Sequence, residues 1–293
     1  MKKVIVIAAL VALASCAEYI EGDSKPELTE YTIVASHEPN LPVKTVIDDA
    51  SGNISWMADD AINVFFGTLS SGKFVTSEAG DIAQFKGTVD VVTGGGEGLT
   101  DETSLWGVYP YNSSNVCDGT GVLLTVPAVQ TPAENTFSPG MFPQIARSRN
   151  FYMSFYNLCS AFRFSVQNSD IKYVTLCGNN DELIAGRVRV SMEQVPLVDK
   201  VVSGEKKLTM YAPDGGCFKP GVNYYLVLFP TTFSQGLTLT YYKEDTYASY
   251  VYSKPYTLER GFISRFANRD SGLTFISNPL NDWGEGERVE DEI

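Results

Sequence analysis

Ala161-Phe162-Arg163-Phe164-Ser165-Val166 decides the fold class. In an extended chain its Phe162, Phe164 and Val166 point to one side while Ala161, Arg163 and Ser165 point to the other. The same period of two recurs in Ile62-Asn63-Val64-Phe65-Phe66, in Gly186-Arg187-Val188-Arg189-Val190, in Leu237-Thr238-Leu239-Thr240-Tyr241 and in Ser249-Tyr250-Val251-Tyr252. Each run can bury one face and leave the other wet. Turn formers separate them: Ser70-Ser71-Gly72, Gly94-Gly95-Gly96, Asp118-Gly119-Thr120-Gly121 and Asp214-Gly215-Gly216. Short strands punctuated in this way predict an all-β chain built of sandwiches or barrels. No long stretch keeps a 3.6-residue apolar period, so at most a short helix fits, for example around Met57 to Ala61.

Moving outward, Thr131-Pro132-Ala133 through Ser138-Pro139-Gly140 is rich in turn formers, and Gln144 to Asn150 is polar and basic. Strand-like sequence resumes at Phe151. A boundary near residues 144–152 divides the chain into two β domains, 31–148 and 149–283. Residues 16–30 are polar and acidic and read as a tether. Residues 284–293 carry Glu285, Glu287, Glu290, Asp291 and Glu292 without a core pattern, and read as a solvated tail.

The N-terminus reads as an export signal over residues 1–15. Met1-Lys2-Lys3 is positive, Val4 to Leu13 is an apolar run, and Leu13-Ala14-Ser15-Cys16 closes it. A membrane span needs roughly 20 apolar residues, which this run does not reach. Cys directly after Leu-Ala-Ser looks like a lipobox, in which the Cys16 thiol is acylated and becomes the first mature residue. Each buried acyl methylene contributes about 0.8 kcal/mol, so two or more chains anchor firmly without a spanning segment. The expected location is the cell surface, anchored by lipid in the outer membrane.

The chain is acidic, with 35 Asp and Glu against 22 Lys and Arg. Loss of the signal removes Lys2 and Lys3 and makes the balance more negative still. Nucleic acid, whose phosphates need a basic face, is excluded as a partner. Four cysteines remain after Cys16, namely Cys117, Cys159, Cys177 and Cys217, and their wide spacing matches no zinc pattern. They read either as buried thiols or as disulfides formed after export, in three possible pairings.

Catalytic chemistry finds little support. His37 is the one histidine, beside Glu38 in a short polar stretch, and any Ser-His or Cys-His nucleophilic centre would have to use it. Asp59-Asp60 are adjacent in one turn and do not flank a substrate from two sides as glycosidase carboxylates do; turn and cap chemistry accounts for them. Gly94-Gly95-Gly96-Glu97-Gly98 lacks the Lys-Ser/Thr of a phosphate loop. Asn179-Asn180-Asp181-Glu182 offers hard oxygens for calcium, and a β-turn explains the same residues. The reading is of a protein that is no enzyme and uses no cofactor or metal.

Several separated pieces carry a family likeness. They are Trp56-Met57-Ala58-Asp59-Asp60-Ala61-Ile62-Asn63-Val64-Phe65, Trp106-Gly107-Val108-Tyr109-Pro110-Tyr111, Val126-Pro127-Ala128-Val129-Gln130-Thr131-Pro132, Phe155-Tyr156-Asn157-Leu158 and Tyr224-Tyr225-Leu226-Val227-Leu228-Phe229-Pro230. In order and spacing the chain resembles the fimbrillin-like lipoproteins of Bacteroidales, the subunits of type V pili. Asp59 departs from the commoner Gly-Asp of the family, which bears on a turn and not on the fold. The resemblance implies two transthyretin-like β-sandwich domains in tandem after the lipoprotein signal. It also implies export, then proteolysis that removes an N-terminal strand and opens a groove for a strand of a neighbouring subunit. Unpaired backbone groups and empty pockets would be satisfied by the added strand, and head-to-tail addition would build a filament.

Cleavage in that family follows a basic residue between the first two strands. Lys44-Thr45 lies between the strand expected at Tyr31–Ser36 and the one near Trp56, which makes it the candidate maturation site. A solvated loop lysine is the alternative. The donor segment would be about Leu273 to Trp283, although the acidic residues after Trp283 fit a strand poorly. The expected function is a structural or accessory (anchor or tip) subunit of a surface fimbria, supporting adhesion, with other fimbrial subunits and a host or bacterial surface ligand as partners. The alternative is a surface lipoprotein that binds glycan or host protein and never polymerises; such a protein should cluster exposed aromatics in one loop region.

Overall fold

The computed structural model describes residues 28–38, 55–68, 70–90 and 104–278. The first strands in chain order are β1 (Leu28–His37), β2 (Ala61–Phe66), β3 (Ser70–Val75), β4 (Ile82–Asp90) and β5 (Leu105–Tyr109). They are followed by β6 (Val116–Cys117), β7 (Val122–Val126), β8 (Val129–Gln130), β9 (Gln144–Ser148) and β10 (Tyr152–Asn157). Seven of these close on themselves in the order β1-β10-β9-β5-β2-β3-β4. The closure is made by β1, which pairs antiparallel with β4 over nine residues and parallel with β10 over Val34–His37. A closed sheet leaves no exposed edge.

The ring is filled by large side chains. Ile33, Trp56, Ile62, Val64, Phe74, Phe85 and Phe155 have no exposure at all. Each contributes about 1.5–3 kcal/mol by leaving water. Trp56 is central: its ring meets Phe85, Tyr109 and Phe155 edge-on at centroid distances of 4.9, 5.5 and 5.3 Å. Gly107 in β5 makes room for this cluster, since a Cβ there would lie 2.6 Å from Phe155 Cζ.

The remaining strands are β11 (Ser160–Ser165), β12 (Tyr173–Gly178), β13 (Ala185–Met192), β14 (Pro196–Glu205), β15 (Lys207–Tyr211) and β16 (Tyr224–Leu228). Then come β17 (Thr231–Phe233), β18 (Leu237–Tyr242), β19 (Thr246–Tyr252), β20 (Tyr256–Leu258), β21 (Ile263–Ala267) and β22 (Ile276–Ser277). They form sheets β16-β11-β21, β22-β19-β18-β12-β15-β8, β14-β13-β7-β6 and β17-β20. A second, larger core joins them, built around Phe162, Phe164, Val188, Leu226 and Leu239. The protein is therefore all-β with several packed sheets, as the two-residue period predicts.

The second core also takes Phe65, Trp106, Val108 and Ile145 from the ring. Strands β2 and β5 are consequently covered on both faces, and every residue of β5 is buried. The expectation of one wet face fails for β2 because the larger core packs on the outside of the ring, and for β11, where Ala161 and Ser165 of the expected wet face are buried along with Phe162 and Phe164. It holds for β13, whose inward residues Val188, Val190 and Met192 alternate with half-exposed Arg187, Arg189 and Ser191.

Pairing does not follow chain order around residue 148. Strand β10 lies after it and belongs to the ring, while β7 lies before it and pairs with β13 over five residues. Gln144–Ser148, expected as a polar linker, is a ring strand. Gln144 is fully buried and its Nε2 donates to Asn157 Oδ1 at 2.8 Å. Arg147 lies over the Trp106 ring at 5.2 Å. The short helix expected near Met57 is instead a turn. Asp59 takes φ 71°, which aspartate tolerates better than most residues. Among the described residues the helical element is the single 3-10 turn Pro213–Gly215.

Candidate functional site: the N-terminal strand and its groove

Strand β1 runs three residues further toward the N-terminus than expected and carries a gradient of burial along its length. Leu28, Thr29 and Glu30 are exposed, whereas Ile33 and Ala35 are fully buried. Tyr31 lies between them in depth, with its ring 5.0 Å from Phe66 and 5.6 Å from Phe151. Inward residues 31, 33 and 35 follow the pleat period, so β1 acts as a plug whose side chains complete the ring core.

The C-terminal end of β1 is fastened most heavily. His37 stacks on Trp56 at 4.1 Å. Gln144 Nε2 is committed to Asn157, so Gln144 Oε1 faces His37 and accepts from Nδ1–H at 3.2 Å. His37 Nε2 is buried with no hydrogen-bond partner among the described residues. Burial disfavours the imidazolium and lowers its pKa to about 4, with the Gln144 bond and the Asp81 charge acting weakly the other way.

Glu38 follows. Its backbone N–H donates to Phe155 O at 2.8 Å, extending the parallel ladder by one residue. Its carboxylate takes a two-pronged contact from Arg260: Nη1 to Oε2 at 2.8 Å and Nη2 to Oε1 at 2.7 Å. The Asn157 N–H also donates to Oε2 at 3.3 Å, and Arg260 Nη1 donates to Asn157 O at 2.7 Å. The Glu38 side chain is 8% exposed and that of Arg260 20%. Bidentate, half-dry pairs of this kind are the strong ones. This one ties the end of β1 to the turn between β20 and β21, 222 residues further on.

The other candidates settle into structural roles or lie elsewhere. Cys16, Lys44, Thr45 and Gly94–Gly98 lie outside the described residues. Asp60 accepts from Met57 N–H at 2.8 Å and from the Tyr109 hydroxyl at 3.0 Å, which is cap chemistry. Glu182 accepts from the backbone N–H groups of Asn180 and Ser234 and so closes its own loop. Among the described residues no group of three or more His, Cys, Asp or Glu is placed to hold a metal. Cys117, Cys159, Cys177 and Cys217 are all free thiols, and burial pushes the Cys159 thiol far up. In the expected donor segment Leu273 and Phe275 pack against the larger core, Lys243 Nζ lies 4.1 Å from the Phe275 ring centre, and Ile276–Ser277 pair with β19.

One further surface was not anticipated. Tyr211, Tyr173, Tyr242 and Tyr247 stand in register across β15, β12, β18 and β19. Their rings follow one another at 5.3, 4.1 and 5.8 Å. Thr209, Thr175, Thr240 and Ser249 form the next row of the same face. The row lies on a sheet face and not in loops, where clustered aromatics were expected of a binder. The tyrosines at the ends of β12, β15 and β18 were its available signal; no spacing in the sequence signals Glu38 with Arg260.

No protein-family model matches this chain, and no characterised relative matches it in sequence. Solved structures similar to it include a protein assigned to cell adhesion from Bacteroides ovatus, with a TM-score of 0.47 and 14% identity over 86% of this chain and 96% of that one. A fimbrial assembly protein from Parabacteroides distasonis gives 0.38 and 11% over 86% and 100% of the two chains. The tip fimbrial protein Mfa3 from Porphyromonas gingivalis, with a C-terminal truncation, gives 0.37 and 7% over 85% and 99%.

Proposed function

We propose that this chain is a lipid-anchored precursor of a cell-surface fimbrial subunit, structural or accessory, that joins its neighbours by strand exchange and supports adhesion. The observation that carries the reading is the position of β1. It is the strand that closes the ring, and the stretch that follows it contains Lys44.

A cut after Lys44 would leave β1 held only by its ladder, its buried side chains and the Glu38–Arg260 pair. Its departure would bare the backbone of β4 along nine residues and that of β10 along four. It would also vacate the positions of Ile33 and Ala35 in the core. Bare strand edges beside empty pockets are what an incoming strand satisfies. Acylation of Cys16 would hold the precursor at the outer membrane until the cut. The domains 31–148 and 149–283 in this organisation share strands, β10 completing the ring of the first and β7 pairing with β13 of the second, and the tether 16–30 and the tail 284–293 flank them.

The test is the N-terminal mass and lipid state of the protein recovered from the native cell surface. A lipid-free species beginning at Thr45 is expected of a polymerising subunit. An intact, acylated chain from Cys16 would restrict the role to an anchor or a monomeric binder. A Lys44→Ala chain should accumulate unprocessed; normal processing would remove Lys44 as the site.

The tyrosine row favours a second reading, a non-polymerising lipoprotein that binds glycan or host protein. The inner rings stack on each other, which leaves Tyr211, 54% exposed at the row's end, as the ring best placed to meet a ligand. Loss of surface-ligand binding in Tyr211→Ala, with assembly unaffected, would favour that reading.

A further inference from the structure

The same groove has a means of choosing what enters it. We infer that Arg260 reads the incoming strand, accepting one that carries a carboxylate at the place of Glu38, and that this strand comes from a different polypeptide and not from the 273–293 segment of a second copy. The inference rests on the strand-exchange reading.

Arg260 is held independently of β1. Its Nη1 donates to Asn157 O at 2.7 Å, so the guanidinium remains aimed at the Glu38 position when β1 leaves. The Asn157 N–H, 3.3 Å from Glu38 Oε2, points to the same place. A half-buried cation left without its partner is strongly unfavourable. A strand that brings a carboxylate removes that penalty, and one that brings a neutral side chain does not.

The rest of the groove sets the other positions. Running parallel to β10, the strand needs a large ring at position 31, to meet Phe66 and Phe151, and an aliphatic side chain at 33. It needs a small one at 35, where Ala35 has no exposure, and the acid at 38. Residues 273–293 do not supply this pattern. Registers that set one of their acids at position 38 bring Ser277, Leu280, Asp282, Glu285, Gly286 or Glu287 to position 33. The one aliphatic among them, Leu280, carries Asp282 into the closed Ala35 position, where an unpaired carboxylate would be buried.

The experiment uses the full chain with a specific protease site placed within residues 39–54 and cut there, so that β1 stays in place without a covalent link. Labelled peptides of Leu28–Glu38, of the same sequence with Glu38→Gln, and of Leu273–Trp283 are offered in excess. The Glu peptide should exchange in and the Gln peptide should bind at least tenfold more weakly, a comparison that needs no protein variant. In Arg260→Met the ratio should fall toward one, and in Arg260→Lys it should be partly kept. The Leu273–Trp283 peptide should not enter. If neither β1 peptide exchanges into the folded, cut protein, strand exchange itself fails and the inference with it. Equal binding of the two would overturn selection by Arg260 while leaving exchange intact. Entry of Leu273–Trp283 as readily as β1 would overturn the choice of a different polypeptide.

Discussion

Strands β1 and β14 are each ten residues long, and the protein treats them in opposite ways. Strand β1 has a neighbour on both sides and ends in a stacked histidine and a bidentate ion pair. Strand β14 lies at the end of its sheet, pairs only with β13 among the described residues, and is exposed along nearly all its length. Leu197 and Val202 there are 64% and 49% exposed. An open edge of this length invites pairing with other chains. Two devices blunt it. The β13–β14 register shifts twice, at Arg187/Val188 and at Arg189/Val190, and such irregularities twist an edge. Charges also line it, with Asp199 on β14 ion-paired to Arg189, which itself holds Asp118 at 2.7 Å. One edge is closed by a strand that belongs to the chain, and the other is left open but made unattractive.

The contrast can be broken most violently inside the ring. Ile33→Asp would bury an unpaired carboxylate at a site with no exposure, at a cost above about 4 kcal/mol. The ring should lose its cooperative melt, read by near-ultraviolet circular dichroism. Next is the fastening: Glu38→Ala leaves Arg260 half-buried and unmatched, which should destabilise by about 3 kcal/mol in denaturant titrations. Loss of less than about 1 kcal/mol would mean that Arg260 finds water or another partner.

Acid gives a graded version of the same loss. The folded His37 pKa of about 4 lies below the ordinary 6.5, so the unfolded chain takes up its proton first as pH falls. The stabilising contribution is full above pH 6.5 and declines down to about pH 4, by up to about 3 kcal/mol. His37→Gln should flatten that part of the stability profile, measured by denaturation midpoints at intervals of pH. At β14 the expected effect is smallest. Leu197→Ser should change stability by no more than about 0.5 kcal/mol. The double change Asp199→Val with Lys200→Val should instead promote self-association, visible by light scattering.

The strands were largely legible because alternation is a local property. Phe162 and Phe164 declare their faces to any reader of six residues. Covering of a second face is not local. Nothing within Ile62–Phe66 announces that Phe65 meets a core assembled mostly from residues beyond 120. Gln144 and Arg147 look like linker residues, and they became a strand because Asn157, His37 and Trp106 supply partners for them. The site divides in the same way. The N-terminal strand could be read from its own alternation, while Lys44 lies outside the described residues. The Glu38–Arg260 contact could not, since its partners are chosen by topology. In sequence His37 reads as a surface loop residue or, less readily, a catalytic one, whereas its burial against Trp56 makes it a fastening.

The pairing of β1 with β10 also sets a timetable. Ser36 and Ser154 face each other across 118 residues of sequence. The ring therefore cannot shut until the chain has been made as far as Asn157, and β7 cannot find β13 until still later. Pairings between such distant residues form slowly. Until then the first strand has only β4 beside it, with its other edge bare to whatever strand comes near.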